Sequence, residues 1–308
     1  MRILFMGTPD FARIHLQAIY ESGEQIVGVV TTPDKPKGRG MVLTPSDVKK
    51  YALEKGLKVY QPATLKNGAF EQTLKELDPE LIIVVAYGKL LPEYVLEYPK
   101  YCCINAHASI LPKYRGAAPM QRAIIDGEEK TGVSIMRMDA GLDTGDVITV
   151  KEITIEKNDN FENVHDKLAV AGSEGILEAI KLFKDNKATY TKQDGNFTYA
   201  EKITKEDCYI GFDKASLAIH NKIRGLSPIP LAFTKTSDGK LLKLVKAHIS
   251  DKDADAKVGE VIALDSSIHV KCAEGAIALD IIVPEGKGKM NAKDYINGRK
   301  ISLGDILG

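Results

Sequence analysis

Leu81-Ile82-Ile83-Val84-Val85-Ala86 is an unbroken apolar run, and its reading decides the fold of the first half of this 308-residue chain. A strand that is apolar at every position has both faces covered, as in a parallel sheet layered between helices. Further strand-like runs lie at 3–6, 26–30 and 102–106. Between the first two, residues 10–20 carry Phe11, Ile14, Ala18 and Ile19 at helical spacing. Ser46, after Pro45, stands as the N-cap of a helix over 46–55. Residues 161–183 read as a long helix with Val164, Leu168, Ile176, Leu177 and Ile180 largely on one face. Strand and helix in alternation define an α/β fold with a parallel sheet. Ligands of such sheets sit beyond the carboxyl ends of the strands. Gly7-Thr8-Pro9, Ala86-Tyr87-Gly88 and Asn105-Ala106-His107 all fall there.

The second half is built differently. Residues 184–205 turn polar, rich in Lys, Asp, Asn and Thr, and read as a linker. A short helix is expected over 214–223. Short apolar runs at 241–245, 259–264, 268–272 and 276–283 then alternate with polar turns, which predicts a small antiparallel barrel or sandwich. We take the boundaries as a first domain over 1–189, a linker over 190–207 and a second domain over 208–308.

Composition limits the function. Forty-two Lys and Arg balance forty-two Asp and Glu, so no chain-wide basic field announces a nucleic acid, and such a partner has to be argued from local patches. Cys102, Cys103, Cys208 and Cys272 form no C-x-x-C pair and have no His at ligand spacing. They read as small buried hydrophobes in a reducing compartment, and no metal site is expected. The apolar start at 1–7 is too short for a signal peptide or a membrane span. We expect a cytoplasmic monomer with no membrane partner.

Asn105 and His107 lie two apart at a strand end, so their side chains leave on the same face. An amide strengthens its bond to a carbonyl oxygen as charge develops there, and a histidine serves as acid or base near neutral pH. Asp143, in the Gly-flanked loop Met138-Asp139-Ala140-Gly141-Leu142-Asp143-Thr144-Gly145-Asp146, can approach His107 and fix its tautomer. No Ser or Cys stands in a nucleophile-elbow context. Together these groups suit acyl transfer without a covalent enzyme intermediate. On these residues alone, however, a strand-end Asn and His are more often turn or surface residues than catalysts.

Longer motifs change those odds. The segments F-M-G-T-P-D-F at 5–11, V-A-Y-G at 85–88, N-A-H-A-S-I-L-P-K-Y-R-G-A-A-P at 105–119 and T-G-V-S-I-M-R-M-D-A-G-L-D-T-G-D at 131–146 resemble the folate-dependent formyltransferases, most closely those acting on methionyl-tRNA. The likeness continues at 200–207 and 283–287 and so covers essentially the whole chain. It implies a Rossmann-like formyltransferase domain followed by a small OB-like β-barrel that binds tRNA. It implies transfer of a formyl group from 10-formyltetrahydrofolate to the α-amine of methionine on initiator tRNA, with no metal. Asn105, His107 and Asp143 match the catalytic triad. Ser109, Ile110, Leu111 and Pro112 match a folate-binding segment, and Ala86, Tyr87, Gly88 and Leu90 the opposite wall of the pterin pocket. Arg39 and Lys37, in P-D-K-P-K-G-R-G, match a loop that touches the tRNA acceptor end. Lys202 and Lys205 are weaker tRNA candidates.

The chain departs from that pattern in two places. It has no tryptophan, and Leu226-Ser227-Pro228-Ile229-Pro230 stands where relatives commonly carry an N-P-W-P-like motif; Arg137 stands where Gln is common. Neither touches the triad, and both bear on tRNA docking. Residues 207–308 hold fifteen Lys and Arg against thirteen Asp and Glu, so the second domain is only slightly basic. Competing readings are a formyltransferase acting on a nucleotide-linked amino sugar or on glycinamide ribonucleotide, a hydrolase releasing formate from the same folate, and a non-catalytic tRNA- or folate-binding protein. Gly7-Thr8-Pro9 lacks the further glycines of a dinucleotide fingerprint, which argues against a nicotinamide enzyme.

Overall fold

The computed structural model describes residues 1–37 and 40–308, Lys37 by its backbone alone. Arg39 and the Lys37 side chain therefore lie outside the described residues. The contacts divide the chain into two compact units, one of residues 1–116, 130–153 and 165–199 and the other of 117–129, 154–164 and 200–308. The second unit thus takes in two segments from the middle of the chain as well as its last third.

The first unit is built on β1 (Arg2–Gly7), α1 (Asp10–Glu21), β2 (Gln25–Val30), the hairpin β3 (Lys35–Lys37) and β4 (Val42–Thr44), α2 (Asp47–Glu54), β5 (Val59–Tyr60), α3 (Glu71–Leu77), β6 (Leu81–Val85), α4 (Glu93–Leu96) and β7 (Cys103–His107). Chain order continues with β8 (Arg115–Gly116), α5 (Pro119–Ile125), β9 (Lys130–Arg137), β10 (Val147–Thr154), α6 (Phe161–Lys184) and β11 (Tyr199–Ala200). Seven strands form one sheet in the order β10-β9-β7-β6-β1-β2-β5. From β7 to β5 its pairs are parallel, whereas β9 runs antiparallel to β7. The expected parallel sheet is therefore mostly parallel.

Leu4, Met6, Ile82, Val84 and Cys103 line one face and pack with Leu74 and Leu77 of α3. Ile3, Phe5, Ile83 and Ile104 alternate onto the other face and are equally buried. Each such side chain stabilises the unit by about 1.5–3 kcal/mol. Ser46 caps α2 as expected, its Oγ accepting from Lys49 N at 3.0 Å.

The second unit contains α5, α7 (Ser216–Gly225), β12 (Ala232–Lys235), β13 (Leu241–Ile249), β14 (Val261–Leu264), β15 (Ile268–Lys271), β16 (Ala276–Pro284), β17 (Met290–Asn291) and α8 (Ala292–Asn297). Its sheet is antiparallel, in the order β12-β13-β16-β15-β14, with β17 also on β16. Residues 305–308 link the two edges. Val261 N donates to Asp305 O at 2.8 Å and Leu307 N to Gly259 O at 2.8 Å, while Gly308 N reaches Lys235 O at 3.0 Å. Ile219 and Ile223 of α7 join Leu242, Leu244, Val270 and Leu279 in the core. A Cβ at Gly225 would stand 2.8 Å from Ile125, so the glycine permits the close approach of α5 and α7. Among the described residues no helix is long and apolar enough to cross a membrane.

Candidate active site

Asn105 sits in β7 between Val84 of β6 and Met136 of β9, its backbone engaged by the sheet. Its side chain leaves on the same face as that of His107, because strand side chains alternate. The residue is partly exposed, and its amide makes no hydrogen bond to a described residue. A polar group placed at a strand end with its donors unspent is available to a ligand.

His107 is 6% exposed, hydrogen-bonded at one ring nitrogen and turned to a carboxylate at the other. Nε2 lies 2.9 Å from Tyr114 O, a carbonyl that only accepts, so this nitrogen carries a hydrogen and donates. Nδ1 faces Asp143 Oδ2 at 3.6 Å. That same Oδ2 accepts from Gly116 N at 2.8 Å, whereas Oδ1 accepts no hydrogen bond from a described residue.

Asp143 adopts the left-handed conformation, φ 54°, which aspartate tolerates better than most residues. The turn it occupies is tight. A Cβ at Gly145 would stand 1.7 Å from Arg137 O, so only glycine lets the chain pass there. Thr144 Oγ1 and Gly141 N both donate to Asp139 Oδ1, at 2.7 and 2.9 Å, which closes the loop upon itself.

Two further segments border the strand ends. After His107 the chain turns through Ser109, Ile110, Leu111 and Pro112, with a cis Leu111–Pro112 bond. Ser109 and Leu111 are buried, Ile110 and Pro112 half-buried. Ser134 pins this loop from β9, its Oγ accepting from Leu111 N at 3.0 Å and donating to Ser109 O at 2.8 Å. Ser109 Oγ in turn donates to Lys113 O at 2.6 Å. After β6, Ala86 (φ 44°) and Gly88 (φ 82°) turn the chain sharply and are exposed. The last β6–β7 pair is Val84–Asn105, so Ala86 leaves the sheet two residues beyond the partner of Asn105. Thr8 Oγ1 donates to Tyr87 O at 3.0 Å and Lys89 Nζ reaches Pro62 O and Ala63 O at 2.9 and 2.8 Å, so the segment is fixed at both ends. The Tyr87 side chain is buried in the core, and desolvation pushes its hydroxyl up to about 12. Tyr87 can therefore serve a ligand only through its backbone, while Leu90 exposes its side chain.

The structure thus gathers Asn105, His107 and Asp143 and sets the loops 86–90 and 109–112 at the same strand ends. Lys202 and Lys205 are exposed in the second unit. Tyr114, Gly116 and Ser134 were not foreseen. Their contacts run mostly through backbone groups, which leave no side-chain signature in a sequence. Among the described residues no group of three or more His, Cys, Asp and Glu is arranged to hold a metal ion.

Residues 1–180 match the formyl transferase family and residues 202–300 the formyl transferase C-terminal domain. The chain belongs to the formyl transferase family. It is 48% identical over 309 residues to the methionyl-tRNA formyltransferase of Caldanaerobacter subterraneus subsp. tengcongensis, covering 100% of both chains. It is 45% identical over 302 residues to that of Thermodesulfovibrio yellowstonii, covering 98% of this chain and 97% of the other. Among solved structures, a sugar 3N-formyl transferase crystallised in the presence of dTDP and 5-N-formyl-THF shares the fold, with a TM-score of 0.66 at 21% identity over 94% of this chain and 99% of the other. The motifs at 105–119 and 131–146 lie inside the matched formyl transferase region, as do all three gathered polar residues.

Proposed function

We propose that this formyltransferase moves the formyl group of 10-formyltetrahydrofolate to the α-amino group of methionyl initiator tRNA, for translation initiation. The observation that carries the chemistry is the unspent Asn105 amide beside a histidine that faces a carboxylate. Relatives that match from end to end and are named methionyl-tRNA formyltransferases support the choice of acceptor.

In this reading the pterin of the donor lies against the backbone of Ala86, Tyr87 and Gly88 and the exposed Leu90 on one side and the loop Ser109–Ile110–Leu111–Pro112 on the other. Backbone N–H and C=O groups suit a flat heterocycle that offers donors and acceptors along its edge. The methionyl amine attacks the formyl carbon, a C–N bond forms, and the carbonyl oxygen becomes an oxyanion. Asn105 donates to that oxygen, and His107 in its doubly protonated form adds positive charge beside it. Asp143 Oδ1, which accepts no hydrogen bond from a described residue, takes the proton from the attacking amine. The bond from carbon to N10 of the folate then breaks, Asp143 passes that proton on to N10, and the products are the N-formyl amine and tetrahydrofolate. A lost donor in such a site costs roughly 3–4 kcal/mol of barrier.

We propose a monomer as the working form. We place the reaction in the cytoplasm and assign tRNA contact to Arg39 and Lys37 of the basic loop, with Lys202 and Lys205 as supporting cations. The test is to incubate the purified protein with radiolabelled 10-formyltetrahydrofolate and methionine-charged initiator tRNA, with elongator methionyl-tRNA alongside. Label on the initiator alone is the expected result. Label on neither, with the folate deformylated, would keep the chemistry and overturn the acceptor.

A further inference from the structure

The stretch 189–199 is exposed at every residue except Gln193. Gln193 is drawn inward and spends its whole amide. Its Oε1 accepts from Arg115 Nε at 3.0 Å and Nη2 at 2.7 Å. Its Nε2 donates to Asp143 O at 2.9 Å and to Gly145 O at 2.7 Å. The orientation is self-consistent. Turned the other way, the amide would set NH₂ against a guanidinium and oxygen against two carbonyls. Two residues earlier, Thr191 exchanges a pair of 2.8 Å backbone bonds with Val147, which ties this segment to the start of β10. Arg115 is buried, and its guanidinium lies 5.0 Å from the Phe197 ring centroid, so the group that holds Gln193 is itself held.

We propose that Gln193, set by Arg115, is a positioning residue for formyl transfer, acting by clamping the two carbonyls that flank the Asp143 turn. The amide ties both ends of a turn whose first residue has a left-handed backbone, and that backbone decides where the carboxylate points. The neighbouring Gly116 N holds Oδ2 from the other side. Gln193 touches neither His107 nor the place of the reacting carbonyl, so its effect passes through Asp143. The inference rests on the proposed role of Asp143. A shift of about 1 Å in a reacting group costs on the order of a hundredfold in rate.

The test is a double-mutant cycle on the full-length protein with Gln193→Ala, Asp143→Asn and the pair, read by steady-state formylation across pH, with the Tm of each variant. Gln193→Ala is expected to lower kcat about ten- to a hundredfold, with KM for both substrates within about twofold. It is expected to add little once Asp143→Asn is present and to move the pH profile of kcat toward that of Asp143→Asn. Gln193→Glu, which keeps the acceptor for Arg115 and loses both donors, is expected to be equally slow. If Gln193→Ala fails to fold, Gln193→Glu carries the same cycle. Full loss in Asp143→Asn with normal or independently additive behaviour of the Gln193 variants overturns the positioning role. Normal turnover of Asp143→Asn overturns the underlying reading of Asp143 instead.

Discussion

His107 Nδ1 stands 3.6 Å from Asp143 Oδ2, while Nε2 of the same ring donates to Tyr114 O at 2.9 Å. The ring is therefore flanked by two groups that accept. A neutral imidazole has one hydrogen and satisfies one of them; the doubly protonated ring has a donor for each. In the proposed reaction the doubly protonated ring sets its positive charge next to Asn105, where we place the oxyanion. We expect Asn105→Ala and His107→Ala each to lose at least about a hundredfold in kcat while keeping the folded far-UV spectrum. Asn105 carries the cleaner test, since its side chain bonds to no described residue and its removal unpairs nothing. Near-normal turnover of either variant would remove that residue from the mechanism.

Ser134 is fully buried and joins β9 to the loop after His107 by two hydrogen bonds. Ser134→Ala leaves the buried Leu111 N–H without a partner, which costs about 1–3 kcal/mol. The loop that loses its pin is the one assigned to the folate. We expect KM for 10-formyltetrahydrofolate to rise several-fold with KM for methionyl-tRNA unchanged, and the Tm to fall. Steady-state kinetics with each substrate varied in turn decides it, and an unchanged folate KM rules out that loop as a pterin wall.

The strands were legible because a buried strand is a run of apolar residues and says so locally: β1, β2, β6 and β7 fall within two residues of their expected bounds. Their parallel pairing was legible too, but the antiparallel edge was not: residues 131–136 of β9 are buried throughout, yet Thr131, Gly132 and Ser134 interrupt the apolar run and it was not read as a strand. Asn105 and His107 could be paired from the two-residue repeat of a strand. Asp143 lies thirty-six positions beyond His107 and entered through the longer motif. Gln193 lay in a polar stretch whose composition describes a linker, and its role comes from one amide meeting two carbonyls fifty residues away. The units themselves were hidden for a related reason: 117–129 and 154–164 join 200–308 through contacts, and no shift in composition marks where they begin.

His15 introduces a pH dependence into stability. It is fully buried on α1, with Nδ1 donating to Phe11 O at 2.7 Å and Nε2 bonded to no described residue. Desolvation lowers it from 6.5 to about 4. Between those values the unfolded chain binds the proton and the folded one does not, so acidification favours unfolding. The contribution is complete above pH 6.5 and lost as the pH falls toward 4. It amounts to roughly 3 kcal/mol. His220, depressed chiefly by burial, acts in the same direction. We expect urea midpoints to drop through this window and His15→Leu to flatten the drop. An equally steep profile in that variant would assign the dependence to other groups.

Arg39 is the strongest tRNA candidate by resemblance, and its two possible modes differ in a measurable way. A guanidinium that clamps a phosphate releases counterions on binding, so the affinity for tRNA falls with salt, and losing one such contact lowers the slope of log affinity against log salt by about 1. A guanidinium stacked on an unpaired acceptor-end base contributes little to that slope. Arg39→Ala is expected to raise KM for methionyl-tRNA while leaving KM for 10-formyltetrahydrofolate within about twofold. Arg39→Lys separates the modes, since lysine keeps the charge and loses the planar face. Rescue by lysine with a restored salt slope assigns Arg39 to a phosphate. No rescue, with the slope unchanged in both variants, assigns it to a base. Unchanged tRNA kinetics in Arg39→Ala would take the residue out of the interface and leave Lys37, Lys202 and Lys205 as the cations to test next.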